Sequence, residues 1–157
     1  MLRAELERYI HEHIPLSRAM GVSVVSLDES AVALQAPLGT NINHRGSAFG
    51  GSVSALAILA SWALLHVRLQ GEGVVDRLVI QRNTMEYHQP ILGPFTARSR
   101  LVRPERWPQF TAMLARKGKA RIAVSAVLEH AGHLAGTFTG EFVAFGASAG
   151  GSGARGA

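Results

Sequence analysis

The longest apolar stretch lies in the first half of the chain, and the other elements are arranged around it. Residues 46–67 carry no formal charge; the first third is polar and glycine-rich, and the remainder is almost wholly apolar. This pattern predicts a tight polar loop followed by a long helix, roughly residues 51–69, that is buried on most of its circumference. The first N–H groups of a helix have no acceptor inside it, so the start of this helix favours a negatively charged oxygen.

A membrane-spanning helix is the alternative interpretation, because about 20 apolar residues suffice to cross a bilayer. Ser47, Ser52, Ser54 and Ser61 interrupt the stretch, however, and its helical part is rich in alanine rather than in leucine and isoleucine. Small side chains suit a helix that lies close against another surface. We therefore expect a core helix enclosed by a sheet, and no membrane span.

Alternation and turn residues predict the elements on either side of this helix. Before it, a short amphipathic helix over residues 2–13 ends at Pro15, and residues 22–27 and 32–34 form a strand hairpin. After it, we expect strands at residues 74–89, 95–102, 122–128 and 134–145, with a surface helix between Pro104 and Gly118.

The order contains no repeated βαβ unit, so it predicts an α+β fold in which a curved antiparallel sheet wraps around the long helix. Residues 1–145 form one domain, and the tail, residues 146–157, is rich in Gly, Ala and Ser and is expected to be disordered. One sheet does not hide all sides of so apolar a helix. We therefore expect a homodimer, or a dimer of dimers.

Composition narrows the class of protein further. The chain of 157 residues has no cysteine, which excludes disulfides and cysteine-based zinc sites and is compatible with the cytoplasm. The N-terminus lacks the apolar core of a signal peptide. A net charge of +5 favours acidic partners. Few aromatic residues accompany the charges and no recognition motif is present, so we expect no nucleic-acid binding, no metal and no cofactor of its own.

The candidate chemistry lies where the polar loop becomes the helix. The arrangement suits attack of water on an ester or thioester: the Gly51 N–H would bind the carbonyl oxygen, an interaction that lowers the barrier by roughly 3 kcal/mol. Asn43 would hold the water or the carbonyl group, and Glu86 or His44 would remove a proton from water. The set of expected substrate-binding residues is Gly50, Ser52, Asn83, Tyr87, Arg116 and Lys117.

A structural interpretation of the same residues stands beside this one. Asn43 and Ser52 are typical capping residues, Gly50 and Gly51 allow a tight turn, and Glu86 suits a solvated strand position. Two basic clusters, one at Arg98, Arg100, Arg103 and Arg106 and one at Arg116, Lys117, Lys119 and Arg121, have two interpretations as well. They either contact the phosphate groups or the acidic surface of a partner, or they are solvated surface charges.

Two segments of the chain resemble the hotdog superfamily of acyl-CoA thioesterases and dehydratases. The first, NINHRGSAFGGSVSALAILASWAL, is similar to that superfamily's N-x-x-G-[ST]-x-x-G-G loop and central helix, and MEYHQPILGPFTARSRL resembles its Y-x-x-P-x-x-G strand turn. Within the superfamily, the likeness is closest to the thioesterase-like domain often fused C-terminal to an N-acetyltransferase. The segment of residues 116–121, RKGKAR, is also similar to that domain.

The resemblance implies a curved antiparallel sheet around the helix, and dimers whose sheets join edge to edge with active sites at the interface. It places Asn43 on the loop asparagine and Gly51 on the glycine whose N–H is the oxyanion donor. Two departures stand out. The place where many such thioesterases carry a catalytic carboxylate falls near Ile58, and Phe49 replaces a common histidine.

Three functional hypotheses follow. The first is hydrolysis of an acyl thioester carried by coenzyme A or by an acyl carrier protein. The second is a non-catalytic module that binds such an acyl group or carrier, and the missing helix carboxylate favours it. The third is a dehydratase, in which His44 and Glu86 would have to face each other. The candidate lining of an acyl pocket is Val53, Leu56, Trp62, Met85 and Tyr87.

Overall fold

The computed structural model describes residues 1–74 and 76–146. Within them, six strands form one antiparallel sheet in the order β1-β2-β4-β5-β6-β3. The strands are β1 (Ser23–Leu27), β2 (Val32–Ala36), β3 (Asp76–Tyr87), β4 (Phe95–Leu101), β5 (Lys119–His130) and β6 (His133–Gly146). The predicted α+β architecture is confirmed, and the tail predicted to be disordered lies, beyond Gly146, outside the described residues.

The helices also follow the predicted order, with one addition near the N-terminus. They are α1 (Arg3–His13), α2 (Pro15–Ala19), α3 (Gly50–Gly71) and α4 (Trp107–Lys117), and a 3₁₀ turn, Pro104–Arg106, precedes the last. Pro15 not only terminates the first helix but begins a second, because its fixed φ suits a first helical turn. Gly118 ends α4 with φ of 70°, a left-handed conformation that glycine adopts without strain.

Helix α3 lies at the centre of the molecule, packed against the inner face of the sheet. It is long and apolar enough to span a membrane, with a mean hydropathy of 1.6, but 61% of that window is buried within the fold. Its small residues Ala57, Ala60 and Ala63 are fully buried and allow close approach to the strands. The Ser99 hydroxyl of β4 donates a 2.8 Å hydrogen bond to the Ala60 carbonyl oxygen and fixes this contact.

The sheet ends in two edge strands of different character. The edge of β1 is covered by α1, whose Glu7 carboxylate accepts the Val24 N–H at 2.9 Å. The edge of β3 is longer, and most of its side chains are exposed. Alternation along β3 places Met85 and Tyr87 on the face toward α3 and Glu86 on the outer face.

Candidate active site at the start of helix α3

Backbone donors are free at the first turn of α3. Phe49, the residue before the helix, is extended, with φ of −63° and ψ of 131°, and its carbonyl oxygen accepts the N–H groups of Ser52 and Val53. The N–H groups of Gly50 and Gly51 make no hydrogen bond within the described part of the chain. They therefore form the positive end of the helix dipole, where an anionic oxygen is stabilised.

Asn43 organises the loop that precedes this turn. Its Oδ1 accepts the N–H groups of Arg45 at 2.8 Å and Ser47 at 3.1 Å, and its Nδ2 donates to the Ser47 hydroxyl at 2.8 Å. Its own N–H donates to the Ser47 carbonyl oxygen at 2.7 Å. The Asn43 side chain thus holds a closed loop, as its capping interpretation predicted, and fixes where the helix begins.

Asn41 attaches the same loop to the body of the protein, a role that the sequence alone does not reveal. The side chain is buried, and its Nδ2 donates to the carbonyl oxygens of Met20 and Pro37, both at 2.8 Å. Its backbone carbonyl accepts the Phe49 N–H at 2.7 Å. The residue just before the helix is therefore anchored through Asn41 to the segment that follows α2.

Two aromatic side chains flank the two glycines. The Tyr87 hydroxyl donates a 2.8 Å hydrogen bond to the Gly50 carbonyl oxygen, and a Cβ at Gly50 would lie 3.5 Å from the Tyr87 ring. A Cβ at Gly51 would lie 2.4 Å from the Phe49 ring, a distance that forces the ring to move. Both rings are more than half exposed, so the two glycines lie beside aromatic side chains that are open to solvent.

The structure brings some of the predicted polar residues together and separates others. Tyr87 and Ser52 lie at the helix start, and His44 is exposed on the adjoining loop. Glu86 pairs with Thr137 on the outer face of the sheet, so within one chain it does not reach the amide of Gly51. The pairing of His44 with Glu86 that a dehydratase would need is likewise not formed within one chain.

The remaining predicted residues lie further away. Asn83 is on the same face of β3 as Tyr87, two alternations along the strand, and is exposed. Arg116 is exposed on α4, where its guanidinium group approaches the Met113 sulfur at 3.8 Å. Lys117 lines a separate groove beside α4. Neither cation belongs to the start of α3 in the same chain.

An apolar cavity of about 310 Å³ lies along α3 beyond the glycines. Of the side chains predicted to line an acyl pocket, Trp62 lines it, whereas Val53 and Leu56 are buried in the core instead. The cavity is formed by α2, α3, β3 and β6, and its lining residues are Ile14, Leu16, Ser17, Met20, Ala55, Ile58, Leu59, Trp62, Ile80 and Phe142.

The cavity and the free amide share one stripe of the helix. Gly51, Ala55, Ile58 and Trp62 are spaced by three or four residues and therefore follow one face of α3. Ile58 contributes an apolar surface to this cavity. The stripe therefore runs from the free amide of Gly51 to side chains that line the apolar cavity.

Trp62 belongs to a row of stacked aromatic rings that connects α3 with α1. The Trp62 and His66 rings stack at 4.7 Å, Tyr9 stacks on His66 at 4.6 Å, and His13 stacks on Tyr9 at 4.0 Å. His66 is buried, and its Nε2 has no hydrogen-bond partner among the described residues. Burial lowers the pKa of His66, and the charge of His13 lowers it further. The stack attaches α1 to the central helix through the His66 imidazole.

Comparison with known proteins gives the family of this chain. The family described as "Putative thioesterase (yiiD_Cterm)" matches residues 3–146. The chain belongs to this family. It has the hotdog fold of the thioesterase family, with the long helix enclosed by a curved antiparallel sheet.

Solved structures share this fold over most of their length. A protein of unknown function from Chlorobaculum tepidum is 28% identical with a TM-score of 0.86, and the alignment covers 91% of this chain and 93% of that one. A protein from Shewanella oneidensis, described as a "putative thioesterase", is 24% identical with a TM-score of 0.79 and coverages of 91% and 96%. A "probable thioesterase" from Pseudomonas aeruginosa is 24% identical with a TM-score of 0.77 and coverages of 92% and 97%.

Proposed function

We propose that this member of the thioesterase family hydrolyses acyl thioesters at the start of α3. The observation that carries the proposal is the stripe that joins the free Gly51 amide to the apolar cavity. A thioester combines a carbonyl oxygen, which becomes negative during attack, with an acyl tail that requires an apolar site. The two ends of the stripe match these two requirements.

In this mechanism the backbone amides of Gly50 and Gly51 bind the carbonyl oxygen while water attacks the carbonyl carbon. Because these donors are fixed by the helix, they stabilise the oxyanion without reorganisation, and one such donor contributes roughly 3 kcal/mol. The intermediate then collapses, the C–S bond breaks, and the sulfur leaves as a thiol after taking up a proton. The products are a carboxylic acid and the free thiol of the carrier.

We assign the removal of a proton from water to His44 rather than to Glu86. His44 is exposed on the loop that leads into the helix, whereas Glu86 lies on the opposite face of the sheet in the same chain. Asn43 acts as a positioning residue, because both polar atoms of its side chain are already engaged by the loop.

The position of the cavity suggests the length of the acyl chain. Ile58 and Trp62 lie 7 and 11 residues beyond Gly51, so they are about 10 and 16 Å along the helix axis. An extended chain advances about 1.2 Å per bond, as judged from the reach of a polypeptide backbone. We therefore propose acyl chains of roughly 8 to 13 carbons, since this range fills the stripe.

We further propose that two copies pair through the exposed edge of β3. The strand is 12 residues long and ends the sheet, and a long unprotected edge is a template for pairing with another chain. Val79 is 49% exposed on it, and a charge there should oppose pairing. Val79→Lys is expected to convert a dimer into a monomer in light scattering, whereas Val25→Lys on the other edge strand should leave the dimer intact.

Thiol release from a panel of acyl-CoAs tests the hydrolysis. The protein has no cysteine and gives no background with a thiol reagent. We expect turnover that peaks for chains of medium length, that falls at least tenfold in His44→Gln, and that is unchanged in Glu86→Gln. A reversed order of these two variants would refute the assignment of the base.

A binding module of the same fold is the second candidate function. The apolar Ile58 at the carboxylate position of related enzymes favours it, because no acidic group then faces the thioester from α3. Binding of acyl-CoA without thiol release from any member of the panel would establish the module and refute the hydrolase. The absence of cysteine supports the cytoplasm as the proposed location of either.

A further inference from the structure

A large groove lies between α4 and β5, apart from the helix start. Its volume is about 760 Å³, within the range of small-molecule sites. Cationic residues reach it from both ends of α4: Arg103 and Arg106 precede the helix, Lys117 is its last residue, and Lys119 and Arg121 follow it in β5. Two clusters that are separate in the sequence therefore meet in one groove.

The positive charge of this groove is not neutralised by the protein. None of the five cations forms a salt bridge with a carboxylate within residues 1–74 and 76–146. Glu141, the acid that lines the groove, is bound to Arg82 outside it at 3.0 Å. Anions are consequently attracted to the groove, and low salt should strengthen the attraction.

The floor of the groove is apolar. Phe110 and Ile122 contribute side chains that are almost fully buried, and Met113 and Val102 add partly exposed surface. The position of α4 is fixed from below, because Trp107 donates from Nε1 to the Glu72 carboxylate and lies under the Arg68 guanidinium at 4.3 Å. Apolar floor and cationic rim are therefore held together by a packed helix.

We propose that this groove binds the phosphorylated adenosine portion of coenzyme A. The proposal rests on the proposed function for the identity of the ligand. Arginine and lysine bind phosphate through charge-assisted hydrogen bonds, and a planar base suits an apolar floor. The acidic surface of a carrier protein would match the charge but leave the apolar floor unfilled, so we favour the nucleotide.

The proposed dimer would bring the groove of one copy close to the start of α3 in the other. Within one chain the groove lies near the end of α3, whose 22 residues span about 33 Å from the glycines. Tyr87, at the end of β3, contacts the start of α3. Antiparallel pairing of two β3 strands would bring the end of one beside the beginning of the other. The groove of one copy would then lie at the same end of the dimer as the start of α3 in the other copy.

Binding of coenzyme A itself, measured by calorimetry on the intact protein, tests the groove without requiring turnover. In the double variant Arg106→Gln/Arg121→Gln we expect binding about tenfold weaker, since each exposed ionic contact contributes up to about fivefold. The matched variant Arg8→Gln/Arg18→Gln removes the same charge from α1 and α2 and should bind coenzyme A within twofold of the parent protein. Equal affinities in the two double variants, or binding of an acyl carrier protein but not of coenzyme A, would overturn the proposal.

A second comparison separates this inference from the proposed hydrolysis. If both hold, the groove variant raises KM for an acyl-CoA but leaves the hydrolysis of the matching acyl-pantetheine, which lacks the nucleotide, unchanged. If neither thioester is hydrolysed but coenzyme A binds and the groove variant weakens it, the groove stands and the hydrolase does not. An equal rise in KM for both substrates would contradict a nucleotide site.

Discussion

The Tyr87 hydroxyl donates a hydrogen bond to the Gly50 carbonyl oxygen across 2.8 Å, and this contact joins the last residue of the edge strand β3 to the first residue of α3. The two residues are 37 positions apart in the sequence. Through this bond, the strand that we propose to form the dimer interface also fixes the position of the free amides.

Tyr87→Phe should therefore loosen the helix start without removing the ring that packs on Gly50. We expect a loss of about 0.5–1 kcal/mol in the free energy of unfolding, the value of one exposed hydrogen bond. A fall in kcat with little change in KM should accompany it. Tyr87→Ala, which also removes the ring, should have the larger effect in both measurements; equal kcat in the parent and both variants would contradict this role.

Glycine is needed more strictly at position 51 than at position 50. A Cβ at Gly50 would make ordinary contacts with Tyr87 at 3.5 Å, whereas a Cβ at Gly51 would overlap the Phe49 ring at 2.4 Å. Gly51→Ala should therefore turn the Phe49 ring and reduce kcat with little change in unfolding free energy, because a ring that is more than half exposed moves at little cost. Gly50→Ala should leave both measurements unchanged. Adding Phe49→Ala to Gly51→Ala should recover kcat; failure to do so would show that the displaced ring is not the cause.

The stripe along α3, from Gly51 to Trp62, predicts opposite changes in the preferred acyl-chain length for two substitutions. Ala55→Leu should fill the part of the cavity nearest to Gly51 and move the preference toward shorter acyl chains. Trp62→Leu should open its far end and move the preference toward longer ones. The measurement is kcat/KM across the acyl-CoA panel for each variant. A parallel loss for all chain lengths in both variants would indicate a stability effect and contradict the stripe.

His66 should make stability depend on pH. Burial holds its pKa below the ordinary value of 6.5, so the unfolded chain binds a proton more readily than the folded one. The stability is full above the unfolded pKa, and falls as pH decreases from there toward the lower folded pKa. Thermal unfolding should be measured between about pH 8 and pH 5, the range in which histidine titrates. Over this range the parent protein should lose stability more steeply than His66→Phe, which keeps the ring stack. Identical pH profiles would exclude His66 as the source.

Removal of the Asn41 side chain should disturb the start of α3. Asn41→Ala would remove two hydrogen bonds, to the carbonyl oxygens of Met20 and Pro37, while Met20 keeps the Thr40 hydroxyl as a donor at 3.0 Å. We expect a cost of about 1–3 kcal/mol in unfolding free energy, the value of two such bonds. Asn43→Ala breaks contacts within an exposed loop and should cost less stability but more kcat. Unfolding and activity measurements on both variants check this ordering, which an equal loss of stability would refute.

Much of the site could be predicted because it depends on local pattern. The uncharged stretch identified α3, the glycines placed its free first turn, and the N-x-x-G-S loop pointed to the family. These features follow from neighbouring residues, whose helix and strand periods put them on fixed faces.

The tertiary structure decided which distant residues meet. Glu86 faces away from Gly51 because of how β3 packs against α3. Alternation assigns the side chains of a strand to two faces, but it does not say which face is the inner one. That Arg106 and Arg121 share a groove depends on where α4 packs. The buried Asn41 and His66 carry no sequence signal of their own, since only packing decides whether a polar side chain loses its water. The sequence by itself determined the elements and the free helix end; long-range packing determined the groove, the stripe and the cavity.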